Sequence, residues 1–373
     1  MLRHSIARDN GPFARPPSGG DETRRTISHL QETAMALGIL PSPRDLSVPS
    51  LPRPGRAVTG ALLGVAAALG VTALWNYAQA RRAEREHPPL GRFVEVDGVR
   101  LHYVDRGQGR PVVLLHGNMM LVEDWALSGV LDMAAARHPV LAFDRPGYGR
   151  SERTRDRVWT PAAQADLLHE ALQRLGVERP IVVGHSFGTL VALELALRHP
   201  EDVAGLTLVS GYYVPTARAD VPLLSPPALP VVGDVMRHTL SPLLLRLSWP
   251  ALTGVLFGPA PTPPAFNQLE GLVSRPEPIR ASASESALLV PSAVGLAERA
   301  EGLRVPVAIL AGSDDRFVGT QEQSHALHHR LAGSDYREVP GAGHMVHHTA
   351  PQVVVDAIDL VARRVEEGRA RAA

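Results

Sequence analysis

The sequence contains no cysteine. This absence excludes disulfide bonds, thiolate metal sites and a cysteine nucleophile. An excess of charge of one sign is also lacking, because 38 Lys and Arg residues balance 38 Asp and Glu residues. A chain with zero net charge lacks the basic surface that broad nucleic-acid binding requires, so no nucleic-acid partner is expected. The 16 histidines include no H-E-x-x-H or similar ligand spacing, and neither a metal nor a cofactor is expected.

The N-terminal part of the chain has two contrasting segments. Residues 1–56 are rich in Pro, Arg, Ser and Gly, a composition typical of a disordered arm. Residues 57–78 carry no charge and match the hydrocarbon thickness of a bilayer, with Trp75 and Tyr77 at the end where interfacial aromatics are expected. They predict an uncleaved, single-span membrane anchor of undetermined orientation. The alternatives are a buried core helix and an exported soluble protein, cleaved at the A-x-A sequence that ends at Ala80.

The rest of the chain has the pattern of an α/β domain. Two alternating runs around an Asp-Gly pair, residues 92–104, predict a β-hairpin. Short apolar runs then alternate with amphipathic segments, which predicts a mostly parallel sheet with helices on both faces. The alternation stops at residues 211–302, a Pro-rich apolar stretch in which only short helical pieces are expected. Because this stretch is too long for a loop, it predicts a cap inserted between two core segments, 88–210 and 303–368.

Six strands are predicted after the hairpin, and five of them, all but 206–209, end in polar or glycine-rich sequence. They cover residues 111–115, 140–143, 181–183, 206–209, 305–310 and 336–339, with helices over 162–175, 190–197, 321–331 and 353–365. Sites in open α/β sheets form at the carboxyl ends of the strands. Three of these ends supply a serine, a pair of aspartates and a histidine, in that order. A serine nucleophile needs a base to take its proton and an acid to orient that base, so these residue types together predict nucleophilic catalysis.

Ser186 is the predicted nucleophile. It lies in G-H-S-F-G, between a β-branched run and an apolar helical stretch, the strand–turn–helix context that a nucleophile elbow requires. Such a sharp turn needs neighbours without a bulky Cβ two positions away, and Gly184 and Gly188 occupy those positions. His344 is the predicted base. His347 and His348 are rival bases, although they fall at the expected entry to the last helix.

Five segments in this order resemble the α/β-hydrolase superfamily, over about residues 88–365. They are H-G-N at 116–118, D-R-P-G-Y-G-R-S at 144–151, G-H-S-F-G at 184–188, G-S-D-D at 312–315 and G-A-G-H at 341–344. The resemblance implies an eight-stranded, mostly parallel sheet with a cap inserted after the sixth strand. A serine at the elbow, where epoxide hydrolases and dehalogenases carry aspartate, implies acyl chemistry.

The resemblance also implies further roles. In this family the acid lies three residues after the strand-end glycine, which favours Asp315 over Asp314. One N–H of the oxyanion hole would come from Phe187, and the second from Asn118 or, alternatively, Met119.

The predicted function is a serine hydrolase, esterase- or lipase-like, that cleaves an apolar carboxylic ester through an acyl-enzyme. The cap is rich in Leu, Val and Pro, which favours an apolar acyl or alcohol portion as the substrate. Two alternatives use the same residues: cofactor-free perhydrolysis or carbon–carbon cleavage on the same triad, and a non-catalytic ligand-binding protein. No oligomeric state is predicted.

Overall fold

The structure, a computed structural model, describes residues 55–372. The predicted disordered arm, 1–56, lies outside the described residues apart from its last two positions. The chain divides into two units, Met1–Leu63 and Gly64–Ala373. Of the first unit the structure describes the beginning of one helix, and all side-chain contacts discussed below belong to the second.

Helix α1, Arg56–Glu86, is 31 residues long and therefore continues beyond the predicted anchor segment. Its last turns carry ion pairs at helical spacing, Arg82 with Glu86 at 2.8 Å and Arg81 with Glu84 at 3.2 Å, which support the helix past the apolar stretch. By length and composition α1 can cross a membrane. The cap helix Leu240–Phe257 is also long and apolar enough to cross a membrane, although some of its residues are buried.

Eight strands form one sheet in the order β1-β2-β4-β3-β5-β6-β7-β8. Their bounds are β1 Arg92–Val96, β2 Val99–Arg106, β3 Val112–Leu115, β4 Val140–Phe143, β5 Ile181–His185, β6 Gly205–Val209, β7 Val307–Gly312 and β8 Asp335–Val339. The strands β1 and β2 form the predicted hairpin, whose turn residues Asp97 and Gly98 both have positive φ. Strand β2 pairs antiparallel with β4, and every pairing from β4 to β8 is parallel. The predicted mostly parallel sheet is confirmed.

Helices cover both faces of the sheet. After α1 they are α2 Val122–Leu127, α3 Val130–Ala135, α4 Pro161–Arg174, α5 Phe187–Arg198, α6 Val221–Leu224, α7 Val232–His238, α8 Leu240–Phe257, α9 Glu270–Val273, α10 Pro276–Ala293, α11 Leu296–Ala300, α12 Ala326–Arg330, α13 Val346–Thr349 and α14 Pro351–Ala372, with 3-10 turns at Pro200–Asp202, Pro226–Ala228 and Pro264–Leu269. The helix predicted at 321–331 is instead a π-helical turn, Gln321–His325, followed by α12.

The alternation of side chains along the buried strands divides the core into two layers. In β3, Val113 and Leu115 belong to the cluster that contains α4 and α5, whereas Val112 and Leu114 belong to the cluster with α3 and α14. All four side chains are buried, as expected of a central parallel strand covered on both sides. The outer strands differ, because Arg92 and Glu95 of β1 and the Arg337–Glu338 pair of β8 are exposed.

The cap is inserted between β6 and β7, after the sixth strand, as predicted. The expectation of only short helical pieces was wrong, because α8 and α10 each contain 18 residues. Pro242, one of the prolines that suggested interruption, lies in the first turn of α8, and Pro276 lies in the first turn of α10; N–H groups there need no intrahelical acceptor. Pro250 lies inside α8 and removes one hydrogen bond without ending the helix.

Candidate active site

Ser186 lies at the turn between β5 and α5, with φ 50° and ψ −121°. This backbone conformation is strained for a residue that carries a side chain. A Cβ at Gly184 would lie 2.6 Å from the Gly188 carbonyl oxygen, and a Cβ at Gly188 would lie 2.4 Å from the Leu115 carbonyl oxygen. Both positions therefore require glycine. The turn is fastened to β6 by the Ser186 N–H, which donates to the Val209 carbonyl at 2.9 Å.

His344 and Asp315 meet from two adjacent strand ends, the loops after β8 and β7. His344 Nδ1 lies 2.8 Å from Asp315 Oδ2. The other carboxylate oxygen accepts the backbone N–H groups of Phe317 at 2.9 Å and Val318 at 3.1 Å. A proton on Nδ1 leaves the Nε2 lone pair of His344 free, so this imidazole can accept a proton from a neighbouring hydroxyl.

The environment of Asp315 keeps it ionised. Burial alone would raise the pKa of this carboxyl, but the facing His344 imidazole, its hydrogen bond and the two backbone N–H groups outweigh burial and hold the pKa below its usual value. A carboxylate here fixes the imidazole tautomer and can balance an imidazolium charge.

The competing side chains have other partners. Asp314 accepts a hydrogen bond from Ser313 Oγ at 2.9 Å. His347 Nε2 and His348 Nε2 lie 2.9 and 2.7 Å from the two carboxylate oxygens of Asp124, a buried residue of α2. Each of these groups is therefore engaged outside the acid–base pair.

Two clusters among the described residues bring three potential metal ligands together. They are Asp124, His347 and His348, and the more exposed His169, His199 and Asp202. Hydrogen bonds engage the imidazoles of both clusters. Asp124 binds His347 and His348, whereas His169 binds Asp202 at 2.8 Å and His199 binds Asp166 at 3.0 Å. A metal ion would have to replace these bonds.

Asn118 and Phe187 line the same cavity as Ser186. Within the described residues, 55–372, no acceptor forms a hydrogen bond with the backbone N–H of Asn118 or of Phe187. The same holds for the N–H of Met119, the alternative donor. Backbone N–H groups without an acceptor, next to a serine hydroxyl, are the donors that a developing oxyanion requires.

The cavity at this edge of the sheet has a volume of about 690 Å³. Ser186 and His344 lie in its wall, and the cap supplies mostly Leu, Val, Met, Ala and Pro side chains. The charged pair in the wall, Arg218 and Asp220, is mutually neutralised by two hydrogen bonds of 2.8 Å. Such a lining suits an apolar ligand.

The sequence matches the family model described as "alpha/beta hydrolase fold" over residues 110–351, more than half of the chain. The chain belongs to the α/β-hydrolase family. The predicted family resemblance is thereby confirmed.

Relatives of this α/β-hydrolase include enzymes with different named activities. The 2-hydroxymuconate semialdehyde hydrolase of Pseudomonas sp. (strain CF600) is 36% identical over 128 residues, which is 34% of this chain and 45% of that protein. The chain therefore spans about half the length of that curated relative.

Solved structures show the same fold. A thermophilic esterase from Thermogutta terrifontis superimposes with a TM-score of 0.63 at 22% identity, covering 74% of this hydrolase and 99% of the esterase. A membrane phospholipase A superimposes with a TM-score of 0.57 at 20% identity, covering 92% of this hydrolase and 99% of that chain. At these identities the likeness shows the fold.

A buried ion pair that sequence reasoning missed joins the loop after β3, residues 116–118, to the cap of the hydrolase. Arg145 and Glu285 are both fully buried and are bonded through two nitrogens and both carboxylate oxygens. The same guanidinium donates to the carbonyl oxygens of His116 at 2.8 Å and Gly117 at 2.9 Å. The backbone just before Asn118 is therefore held by a charge pair whose acid comes from cap helix α10.

Two more groups complete this network. Tyr148 Oη lies 2.8 Å from both Glu285 and the Asn118 side-chain oxygen, and Gln164 donates to Glu285 at 2.9 Å. Burial would raise the pKa of Glu285, but the charge and hydrogen bonds of Arg145, the Arg153 charge and the Gln164 hydrogen bond together outweigh burial and keep the pKa below its usual value. A signal existed in the sequence, because an arginine in a buried strand-end turn requires a buried acid.

The Asn118 side chain belongs to the same network. Its Nδ2 donates to Ser286 Oγ at 3.2 Å and to the Ser282 carbonyl at 3.3 Å, both on α10. His116 supports the loop from the other side: Nδ1 donates to the Gly117 carbonyl at 2.8 Å and Nε2 accepts the Arg145 N–H at 2.9 Å. Burial, followed by the Arg145 charge, lowers the pKa of His116 to about 4, so this imidazole is neutral.

Glu123 of α2 should make the stability of the protein depend on pH. Burial and the neighbouring Asp144 charge raise the pKa of Glu123 from 4.5 to about 7, and Oε2 has no partner among the described groups. Between these values the folded state binds more protons than the unfolded state, so its stability falls as pH rises from 4.5 to about 7. Glu123→Gln should therefore stabilise the protein at pH 8 by on the order of 2 kcal/mol, and hardly at pH 4.5.

Chemical denaturation at both pH values measures this difference. Glu178→Gln, at an exposed acid, is the matched control. Equal effects of Glu123→Gln at pH 4.5 and pH 8 would contradict the prediction.

Proposed function

We propose that this protein is a membrane-anchored serine hydrolase that cleaves apolar carboxylic esters, with Ser186 as nucleophile, His344 as base and Asp315 as orienting acid. One observation carries the proposal: a serine on a strained elbow and a carboxylate-bound histidine share one apolar cavity. The strain holds the hydroxyl at the apex of the turn, where a bound acyl carbon can reach it.

The mechanism follows from this arrangement. His344 Nε2 takes the Ser186 proton as the oxygen attacks the ester carbonyl, and Asp315 stabilises the imidazolium. The Asn118 and Phe187 N–H groups bind the oxyanion. His344 then gives its proton to the departing alcohol, which leaves an acyl-enzyme on Ser186. In the second half, His344 deprotonates a water molecule that attacks the acyl carbon. The bond from this carbon to Ser186 Oγ then breaks, His344 returns the proton to Oγ, and the carboxylic acid leaves.

The membrane part of the proposal rests on α1. Residues 57–80 carry no charge, and the helix continues without a break into the charged turns that end at Glu86. A helix of this composition, with Trp75 and Tyr77 near its charged end, fits a bilayer anchor.

Carbon–carbon bond hydrolysis is the second candidate, because a relative 36% identical over 128 residues is named 2-hydroxymuconate semialdehyde hydrolase. The same serine, base and oxyanion donors would serve it. Turnover of that semialdehyde in excess of any p-nitrophenyl ester would favour this candidate over ester hydrolysis.

Covalent labelling and an acyl-chain series test the proposal. A fluorophosphonate probe should label the detergent-solubilised full chain at Ser186, identified by peptide mass spectrometry. Among p-nitrophenyl esters, kcat/KM should rise by about tenfold or more from acetate to octanoate, because each buried methylene adds favourable transfer free energy. Absence of labelling would mean that the fold serves ligand binding without catalysis. A flat chain-length profile would contradict the apolar acyl site.

A further inference from the structure

Cap helix α8 exposes an apolar face instead of a polar one. Leu240, Leu244, Leu247, Ala251 and Val255 follow each other at helical spacing, and all five are exposed, Leu247 by 80%. A surface helix of a soluble protein normally turns such a stripe toward its core. A contiguous exposed apolar stripe of this kind marks a surface that another apolar phase covers.

The charged side chain of α8 lies on the side of the helix away from this stripe. Arg246 is the sole charged residue of the helix. It pairs with Glu270 at 3.2 Å, donates to Asn76 Oδ1 at 3.1 Å and lies 4.9 Å from the Trp75 ring centroid. The exposed side of α8 is therefore left without charge, and the charged side faces helix α1.

Helix α1 fixes the beginning of α8 at the depth of the expected membrane interface. Asn76, which is buried, donates to the His238 carbonyl at 3.0 Å and to the Thr239 carbonyl at 2.7 Å, immediately before α8 begins at Leu240. Asn76 lies between the two interfacial aromatics of the anchor. A bilayer that surrounds the preceding turns of α1 therefore has its surface at the start of α8.

Two residues of the exposed stripe, Leu244 and Val255, also belong to the wall of the cavity. Leu223, Leu224, Leu244 and Val255 line the cavity and are also exposed, Leu223 by 79%. An entrance bordered by exposed leucine and valine side chains offers no polar contact to a water-soluble ligand, but it is continuous with a hydrocarbon phase.

We propose that the cap apolar face, formed by Leu223, Leu224, Leu240, Leu244, Leu247 and Val255, docks on the surface of the bilayer that α1 spans. Through it, an ester lipid resident in that bilayer enters the cavity directly. This inference rests on the proposed function and adds the source of the substrate. Its occupant is the lipid surface, because the anchor helix is hydrogen-bonded through Asn76 to the two residues just before α8 and to Arg246 within α8. Helices with one large apolar face lie in the interface in this way.

The absence of cysteine allows a direct measurement. Leu247→Cys, which lies outside the cavity wall, is labelled with an environment-sensitive fluorophore in the full chain, reconstituted in phosphatidylcholine vesicles. Glu178→Cys, an exposed site on the loop that enters β5, is the control at the opposite edge of the sheet. The Leu247 label should shift to shorter wavelength and be quenched by brominated lipid, and the Glu178 label should do neither.

Two other outcomes would overturn the proposal. A blue shift without quenching by brominated lipid would assign the face to a second copy of the chain or to another protein segment. A label at position 247 that is neither shifted nor quenched would mean that the face is exposed to water.

A kinetic comparison separates docking from catalysis. Leu247→Asp should reduce hydrolysis of a long-chain diacylglycerol in vesicles by about tenfold, because the charge opposes insertion. Hydrolysis of p-nitrophenyl butyrate in detergent should stay within about twofold of the wild type, since the substitution lies outside the cavity. Val158→Asp adds the same charge at an exposed apolar residue outside the cap and should change neither rate. Equal vesicle rates for the two variants would refute docking, whereas an inactive wild type on both substrates would refute the proposed function.

Discussion

Ser186→Ala will lower kcat/KM for p-nitrophenyl butyrate by about ten-thousandfold or more, because no other nucleophile occupies the apex of the elbow. The acid–base pair remains in place, since His344 is held by Asp315 and not by the serine. The loss should therefore appear in kcat, with the affinity for a non-reactive ester analogue unchanged. Steady-state kinetics and analogue binding on the purified full chain measure both quantities. Turnover at the wild-type rate would exclude Ser186 as the nucleophile.

The backbone of the elbow supplies a control for this variant. Alanine keeps the strained φ of 50°, whereas glycine adopts it freely. Ser186→Gly should be equally inactive, but its free energy of unfolding should exceed that of Ser186→Ala by about 1 kcal/mol. Two variants of equal inactivity and different stability would show that the strain serves the position of the hydroxyl.

Glu285→Gln will be the most destabilising of these substitutions, by about 3 kcal/mol or more. It leaves the Arg145 guanidinium fully buried without a counter-charge. Because this guanidinium also holds the His116 and Gly117 carbonyls, we expect kcat to fall by about tenfold as the loop that carries the proposed oxyanion donor Asn118 loosens. Denaturant unfolding and ester kinetics below the unfolding transition measure the two effects.

A double variant separates stability from positioning. Arg145→Met with Glu285→Leu removes both charges and should regain most of the lost stability, since apolar replacement of a buried pair is often neutral. It also removes the donors to the loop carbonyls, so kcat should stay low. Glu170→Gln, which breaks an exposed pair with Arg174, should change neither property. Full recovery of kcat in the double variant would contradict a positioning role.

The sheet could be predicted from the sequence because its signals are local. A short apolar run such as Val112–Leu115 is recognisable by itself, and the Asp-Gly turn identifies the hairpin without reference to distant residues. Parallel strands also bring their carboxyl ends to one edge, which is why Ser186, Asp315 and His344 could be expected near one another. Their roles in catalysis stay a prediction, to be decided by the kinetic experiments.

The cap could not be predicted in the same way, because its structure depends on contacts between distant parts of the chain. Glu285 lies 140 residues from Arg145, and no periodicity indicates that the two side chains meet. The lengths of α8 and α10 were underestimated because the sequence alone does not distinguish a proline in the first turn of a helix from a proline that ends one. The contact of Asn76 with the start of α8 is likewise a tertiary feature.

The two outer strands of the sheet have a consequence under the proposed membrane anchoring, which would confine the protein to the plane of the bilayer. An anchored molecule meets its neighbours far more often than a dissolved one, and a long bare strand edge would invite aggregation. In the described part of the chain, β1 and β8 are the edges, each has five residues, and each exposes charged side chains. We therefore expect neighbouring molecules not to pair through these edge strands. A high density of the protein in the membrane should not lower its activity through aggregation.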